Sequence, residues 1–290
     1  MKILLTGGTG QLGRTILDQF ANCEFFAPNR NSLDLTSREG VMRAVSTFAP
    51  DVIINSAAWT DVPGAERSPE ETLQINLRAV ENLAQAGTRL GARFIQISTD
   101  FVFNGAETNP YEENFEKNPL SVYGKSKSLA EDYLLSEHAM NSYIFRTSWL
   151  YSRHRRNFVK SILKKLISQP AEIEVVNDQF GNPTLSKDLA NAIEIFCNKS
   201  YEPGLYHFAN SGVVSWYGFA QTIAEYSHLN PTRVVPVVTQ PSRDLVTRPS
   251  FSSLNTSKYS FATGNTPPDW RESLLGELPR IREQVERELA

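Results

Sequence analysis

A glycine-rich turn directly after an apolar run at the start of the chain constrains its fold more than any other feature. Residues 2–6 are typical of a short buried strand, and residues 7–13 read GGTGQLG. Glycine lets the backbone approach an anion closely, and the unpaired N–H groups of the following helix then bind that anion. The stretch predicts a pyrophosphate-binding strand, turn and helix, with a purely structural tight turn as the alternative. The residues expected to contact a dinucleotide here are Gly7, Gly10, Gln11, Leu12 and Gly13.

The first half of the chain alternates short apolar runs with longer stretches of helical periodicity. The candidate strands are 2–6, 24–27, 52–55, 94–98 and 143–147. The candidate helices are 11–20, 69–91 and 122–138. Strands that alternate with helices in this way predict an α/β fold of the Rossmann type, a doubly wound parallel sheet. Such a sheet places its ligands at the carboxyl ends of the strands.

Beyond about residue 150 the pattern becomes mixed, with proline-rich connections between short elements. We therefore predict an NAD(P)-binding domain at 1–150 and a smaller, mainly substrate-binding lobe at 151–290. The segments near 180–212 and 235–255 are candidates for returning to the first domain. The number of subunits is left open between a monomer and a homodimer.

Charge and composition exclude several classes of partner. A formal net charge of −3 gives no field that would attract a nucleic acid. No apolar run is long enough to span a bilayer, and glycines interrupt the N-terminal run before a signal peptide is complete. The two cysteines, Cys23 and Cys197, have no neighbouring metal ligands. These observations predict a cytoplasmic protein with reduced thiols, no membrane or nucleic-acid partner and no metal.

The end of the second candidate strand bears on the choice of cofactor. An acidic residue there usually holds the adenosine ribose of NAD, but residues 28–31 read PNRN and contain no carboxylate. Arg30 suits a 2′-phosphate, which favours NADPH, with NADH retained as a second cofactor. A solvated loop arginine is the alternative interpretation of Arg30.

Tyr123 and Lys127 lie four residues apart and so share one face of a predicted helix. A cation beside a phenol favours its ionised form, so we expect a lowered pKa for Tyr123. The spacing alone is common by chance, but Thr99 ends the preceding strand and brings a hydroxyl to the same crevice. The alternative is an amphipathic surface pair, with Thr99 as a turn residue.

Further motifs extend along most of the chain. They are 57–60 (AAWT), 98–103 (STDFVF), 146–149 (RTSW), 177–184 (NDQFGNPT) and the region from Arg248 to Lys258. Together with the glycine turn and the Tyr123/Lys127 pair, they resemble dTDP-4-dehydrorhamnose reductase, of the extended short-chain dehydrogenase/reductase superfamily.

The resemblance implies NADPH-dependent reduction of the C4 ketone of dTDP-4-dehydro-6-deoxy-L-mannose to dTDP-L-rhamnose. Tyr123 would protonate the new alkoxide, Thr99 would polarise the ketone, and Lys127 would hold the nicotinamide ribose. The cofactor-binding residues would also include Asp34, Leu35, Ala57 and Ala58. The substrate-binding residues would be Thr99, Asp100, Phe101, Trp149 and Arg248. A core tryptophan and a surface arginine are the alternatives for the last two.

Two departures from the family pattern concern loops. Residues 61–66 read DVPGAE where an acid–base pair is usual, and residues 152–156, SRHRR, replace a glycine-rich turn. The basic run could attract a nucleotide-sugar diphosphate, but a solvated charged face is the common meaning of such a run.

Three other functions compete with this prediction. Related dehydratases have a glutamate where this chain has Phe101, which argues against water elimination. A reductase or epimerase for another nucleotide-linked 4-keto-sugar stays open. So does a non-catalytic, nucleotide-binding regulatory subunit.

Overall fold

The computed structural model describes residues 1–240 and 245–289 as twelve strands and eleven α-helices. The strands are β1 (Lys2–Thr6), β2 (Glu24–Phe26), β3 (Val52–Asn55), β4 (Arg93–Thr99), β5 (Ser142–Thr147), β6 (Leu150–Tyr151), β7 (Ile173–Val176), β8 (Phe180–Gly181), β9 (Thr184–Leu185), β10 (Gly204–His207), β11 (Val214–Ser215) and β12 (Val234–Val237). The helices are α1 (Gln11–Gln19), α2 (Arg38–Phe48), α3 (Val62–Arg67), α4 (Pro69–Leu73), α5 (Ala79–Arg89), α6 (Val122–Glu137), α7 (Phe158–Ser168), α8 (Ser186–Asn198), α9 (Trp216–Tyr226), α10 (Ser257–Thr263) and α11 (Trp270–Leu289).

A six-stranded parallel sheet in the order β2-β1-β3-β4-β5-β10 confirms the predicted Rossmann-type α/β fold. β1 pairs with β2 on one side and with β3 on the other, so the winding of the chain reverses there. The loops that leave the carboxyl ends of β1 and β3 therefore diverge, and they open a crevice at the switch point.

Apolar residues point to both faces of the sheet, as a sheet covered by helices on both sides requires. On one face Ile3 and Leu5 pack with residues of α1 and α8. On the other face Leu4 and Ile53 pack with residues of α2, α5 and α6. Successive strand residues alternate between the two cores because side chains of a strand point to opposite faces.

Most predicted elements of the first half agree with the structure within two residues at their ends. The predicted helix 69–91 instead forms α4, a π-helical turn at Gln74–Arg78 and α5. The sequence-based prediction contained no counterpart of α2 or α3. Within the described residues, no helix is long and apolar enough to cross a membrane.

A further apolar core lies in the C-terminal half, where α7, α9 and α11 pack against the β7–β12 strand pair. The fully buried Trp270 begins α11 and meets Phe219 of α9 edge-on, with ring centroids 5.5 Å apart. β10 lies in segment 180–212 and forms an edge of the main sheet. Residues 241–244 of segment 235–255 lie outside the described residues, and the domain boundaries stay a prediction.

Candidate active site

A cleft of about 1020 Å³ lies at the carboxyl ends of the sheet strands. Every residue that the sequence analysis assigned to the site lines it, from Gly7 near one end of the chain to Arg248 near the other. The cleft thus brings the predicted residues together, while their individual roles stay predictions. Arg155, Arg156 and Trp216 also line it.

The glycine turn connects β1 to α1 in a very tight path. Gly7 has φ +70°, and a Cβ at Gly13 would lie 2.3 Å from the Gly7 carbonyl oxygen. The Gly10 N–H donates to that carbonyl at 2.8 Å. No side chain caps α1, and its first turn contains no acid. Its first N–H groups and positive dipole end are therefore available to an anion, so these residues fit a dinucleotide pyrophosphate.

The loop after β2 forms one end of the cleft. Arg30 is exposed there, and Asp34 accepts hydrogen bonds from the Thr36 N–H at 2.9 Å and hydroxyl at 2.7 Å. These hydrogen bonds, with help from the charge of Arg30, lower the Asp34 pKa. Leu35 completes this wall. A cation thus stands where the sequence predicts a 2′-phosphate.

Buried polar side chains fix the floor of the cleft between neighbouring strands. The Thr6 hydroxyl donates to Asn55 Oδ1 at 2.5 Å, and Asn55 Nδ2 donates to Gln96 Oε1 at 2.8 Å. Asn55 Oδ1 also accepts from the Ala57 N–H at 3.2 Å. The start of the Ala57–Ala58 segment is thereby held against the end of β1.

The first turn of α6 carries Tyr123 and is held by three contacts. Ser121 caps the helix by accepting from the Gly124 N–H at 3.1 Å, and Glu66 accepts from the Val122 N–H at 2.7 Å. A Cβ at Gly124 would lie 2.2 Å from the Phe101 carbonyl oxygen. Glycine at 124 therefore allows α6 to approach the turn after β4, which the sequence analysis did not foresee.

Tyr123 is fully protonated at neutral pH in this structure. Burial and the nearby Asp100 carboxylate raise its pKa to about 12, although the Thr99 hydroxyl acts in the opposite direction. The expected lowering of the Tyr123 pKa is therefore wrong, because desolvation of the phenol dominates the shift. A phenol that starts protonated is suited to donate a proton to an alkoxide.

Lys127 is 3% exposed, and its Nζ donates to the Ile97 carbonyl oxygen at 2.6 Å. Burial lowers its pKa to about 8, and the Glu131 carboxylate counteracts that shift. Lys127 follows Tyr123 by one helical turn, so both side chains reach the same wall of the cleft.

A buried ion pair lies behind this wall. Arg146 Nε donates to Glu131 Oε1 at 2.9 Å, and Arg146 Nη2 donates to Oε2 at 2.7 Å. The Ser98 hydroxyl donates to the same carboxylate, and Lys117 lies 3.4 Å from it. Burial alone would raise the Glu131 pKa, but Arg146, Lys117 and Ser98 hold it below its ordinary value. The pair links α6 to β4 and β5, and the sequence analysis missed it.

Thr99 and Asp100 end β4 beside the phenol. The Thr99 hydroxyl donates to Asp100 Oδ1 at 3.1 Å and accepts from the Phe101 N–H at 3.2 Å. Asp100 Oδ2 is buried without a hydrogen-bond partner among the described residues. Burial raises the Asp100 pKa to about 6. The Phe101 ring meets the Tyr123 ring edge-on, with centroids 5.8 Å apart.

Aromatic rings form the opposite side of the cleft. Trp149, in left-handed backbone at φ +45°, stacks on Trp216 with centroids 3.5 Å apart and planes 6° from parallel. A Cβ at Gly181 would lie 2.8 Å from the Trp149 ring, so glycine makes room for it. Arg248 lines the same cleft. Trp216 follows a two-residue strand without a recognisable motif, which is why sequence reasoning missed it.

Within residues 1–240 and 245–289, no group of three or more His, Cys, Asp or Glu side chains is arranged to hold a metal ion.

Comparisons with known proteins identify the family of the chain. A family model described as the RmlD substrate binding domain matches residues 1–282. The dTDP-4-dehydrorhamnose reductase of Escherichia coli K12 is 37% identical over 297 residues, covering 96% of this chain and 98% of that protein. The chain belongs to the dTDP-4-dehydrorhamnose reductase family. The family predicted from the sequence motifs is thereby confirmed.

Other members of the dTDP-4-dehydrorhamnose reductase family and its relatives match over similar lengths. A spore coat polysaccharide biosynthesis protein of Bacillus subtilis, SpsK, is 40% identical over 276 residues, covering 94% of this chain and 95% of that protein. The crystal structure of dTDP-4-dehydrorhamnose reductase from Bacillus anthracis in complex with NADP has a TM-score of 0.91 and 32% identity. It covers 96% of this chain and 98% of that one.

Proposed function

We propose that this chain reduces the C4 ketone of dTDP-4-dehydro-6-deoxy-L-mannose to dTDP-L-rhamnose with NADPH. The observation that carries the proposal is the convergence of Tyr123, Thr99 and Lys127 on one wall of the cleft, beside the glycine turn. When bound, NADPH supplies the hydride that adds to the carbonyl carbon. The Bacillus anthracis relative was crystallised with NADP, which supports the choice of cofactor.

Each residue of this wall has a distinct part in the proposal. The buried phenol of Tyr123 donates its proton to the oxygen that becomes the hydroxyl group. The Thr99 hydroxyl donates a hydrogen bond to the same oxygen in place of its present acceptor, Asp100. Lys127 holds the nicotinamide ribose and places a positive charge near the developing phenolate. These groups are held before substrate arrives, so little reorganisation accompanies the reaction.

The direct test compares wild-type protein with Tyr123→Phe. NADPH oxidation is followed with dTDP-4-dehydro-6-deoxy-L-mannose, and NADPH affinity is measured separately by fluorescence. We expect turnover to fall by about 10²–10⁴, because only the proton donor is removed, with unchanged NADPH affinity. A wild-type rate in the variant would refute the role of Tyr123. Cofactor binding by wild-type protein without turnover would favour a regulatory subunit.

A second candidate is reduction of another nucleotide-linked 4-keto-sugar. It is favoured by the 40% identity with SpsK, whose name refers to spore coat polysaccharide biosynthesis and not to rhamnose. A panel of dTDP-, UDP- and GDP-linked 4-keto-6-deoxy sugars, scored by NADPH consumption, separates the two. The first proposal fails if any sugar other than dTDP-4-dehydro-6-deoxy-L-mannose has the highest kcat/KM.

A further inference from the structure

The basic run at residues 152–156, here called the basic strap, connects β6 to α7 and lies along α1, from Asp18 in its last turn to Thr9 before its start. Arg153 Nη2 donates to Asp18 Oδ2 at 2.7 Å, and His154 Nε2 lies 2.9 Å from the same oxygen. Asp18 belongs to α1, the helix that begins at the glycine turn. The strap is therefore fastened to the cofactor-binding helix, unlike a freely solvated charged loop.

Within the strap, Arg155 extends to the glycine turn itself. Its Nε donates to the Thr9 carbonyl oxygen at 2.7 Å, and its side chain lines the cleft. In the described part of the chain, the two terminal nitrogens of this guanidinium have no hydrogen-bond partner. A guanidinium has five N–H donors in a planar fork, so most of its donors stay available to an anion in the cleft.

The backbone at this position favours glycine, yet the chain has arginine. Arg155 has φ +55°, in the left-handed region that side chains with a Cβ rarely adopt. Asn157 closes the strap by donating to the Ser152 carbonyl oxygen at 2.7 Å. A glycine at 155 would adopt this backbone without strain, so the arginine is not there for the benefit of the loop's conformation.

We propose that Arg155 is a ligand of the cofactor pyrophosphate, closing over the anion that the glycine turn holds from below. The inference rests on the proposed function only in that a nicotinamide dinucleotide binds in this cleft. The hydrogen bond from Arg155 to Thr9 fixes the guanidinium at the glycine turn, where the pyrophosphate is expected. The 2′-phosphate is expected instead at Arg30 beyond β2, and the substrate diphosphate near Arg248.

The test measures binding of NADPH and NADH to Arg155→Gln by fluorescence titration. Both cofactors share the pyrophosphate, so we expect the affinity for each to fall about tenfold and by equal factors. Arg30→Ala should weaken NADPH binding more than NADH binding. Arg43→Gln, which changes an exposed arginine on α2, is the matched control and should change neither affinity.

Several results would overturn the proposal. They are an unchanged affinity for both cofactors and a loss confined to NADPH. Failure of the wild-type protein to bind either cofactor would also overturn it. Sugar reduction is not part of the readout, so a protein that binds NADPH through Arg155 but does not reduce the sugar refutes only the proposed function.

Arg155→Gly separates binding from folding. Glycine relieves the left-handed backbone, so we expect a melting temperature equal to or above that of the wild-type protein. Cofactor affinity should nevertheless fall as it does in Arg155→Gln. A variant that melts higher and binds normally would show that Arg155 has no part in the site.

Discussion

At the scale of single residues, burial of the Asp100 carboxylate lowers the stability of the folded protein at neutral pH. It is 2% exposed, and one of its oxygens has no hydrogen-bond partner among the described residues. Burial raises its pKa from 3.8 to about 6. Between these two values the folded protein holds the proton more tightly than the unfolded chain. The free energy of unfolding therefore falls as pH rises through this window.

Asp100→Asn should consequently stabilise the protein at neutral pH. The variant removes the titration while keeping an oxygen that accepts from Thr99. We expect a gain of about 3 kcal/mol in the free energy of unfolding near pH 7.5 and about half of that near pH 5. Urea unfolding at both pH values measures this gain in unfolding free energy. The exposed Glu116→Gln is the control and should show no such gain. A gain that does not depend on pH would contradict the assigned cause.

The remaining residue-scale features differ in how far the sequence reveals them. Tyr123, Lys127 and Thr99 are predictable because helical spacing and the end of a strand are local properties. The Tyr123 pKa cannot be predicted from the sequence, because it depends on burial beneath neighbours that are distant in sequence. The same applies to the stacking of Trp149 on Trp216. Long-range packing leaves no local pattern that could be read in advance.

At the scale of elements, the β1–α1 connection also combines local features that the sequence predicts with tertiary contacts that it does not. The strand, the turn and the start of α1 follow from apolar periodicity and glycine spacing, and the structure confirms them. The approach of the turn to the loop after β3 is a tertiary contact that the sequence does not reveal. α2 was not predicted either, although Val41, Val45 and Phe48 recur at helical spacing and pack on the core.

Gly7 in this connection and Gly91 between α5 and β4 have matching φ angles, so the pair separates conformational strain from steric exclusion. Gly7 has φ +70° and Gly91 has φ +69°. A Cβ at Gly7 would lie 2.6 Å from the Ala57 nitrogen, whereas no atom of the described residues lies within 4 Å of a Cβ at Gly91. Gly91→Ala should cost about 1 kcal/mol of unfolding free energy from backbone strain alone. Gly7→Ala should cost about 3 kcal/mol and abolish NADPH binding.

Urea unfolding and NADPH titration of both variants make the comparison. Equal losses of stability would mean that the turn accommodates a Cβ by shifting. Unimpaired NADPH binding by Gly7→Ala would mean that the turn does not contact the cofactor.

At the scale of the whole molecule, the buried Glu131–Arg146 pair connects parts of the chain that are far apart in sequence. Glu131 on α6 holds Arg146 on β5, and Arg146 also reaches the carbonyl oxygen of Glu113 at 3.3 Å. The Glu113 carboxylate in turn accepts from the His207 N–H of β10 at 2.9 Å. One charged network thus spans α6, two sheet strands and a connecting loop.

Glu131→Gln should destabilise the protein by about 3 kcal/mol, because a buried guanidinium loses its counter-charge. Glu137→Gln on the exposed face of the same helix should change stability by no more than about 0.5 kcal/mol. Because the Glu131 pKa is lowered, its contribution is present above the ordinary carboxyl value of 4.5 and is lost on acidification. Denaturant unfolding should show that the unfolding free energies of the wild-type protein and Glu131→Gln converge in acid. If Glu131→Gln is still less stable than the wild-type protein in acid, the loss of stability arises from packing and not from charge.

The cleft that joins Gly7 to Arg248 also sets the order of events during biosynthesis. A chain growing on the ribosome makes the glycine turn first, but the edge strand β10 and Arg248 leave the exit tunnel only near the end of translation. The complete cleft therefore forms only on a nearly finished polypeptide. The residues expected to bind the cofactor, from Gly7 to Lys127 and Arg155, are synthesised earlier, so the substrate side of the cleft is completed last.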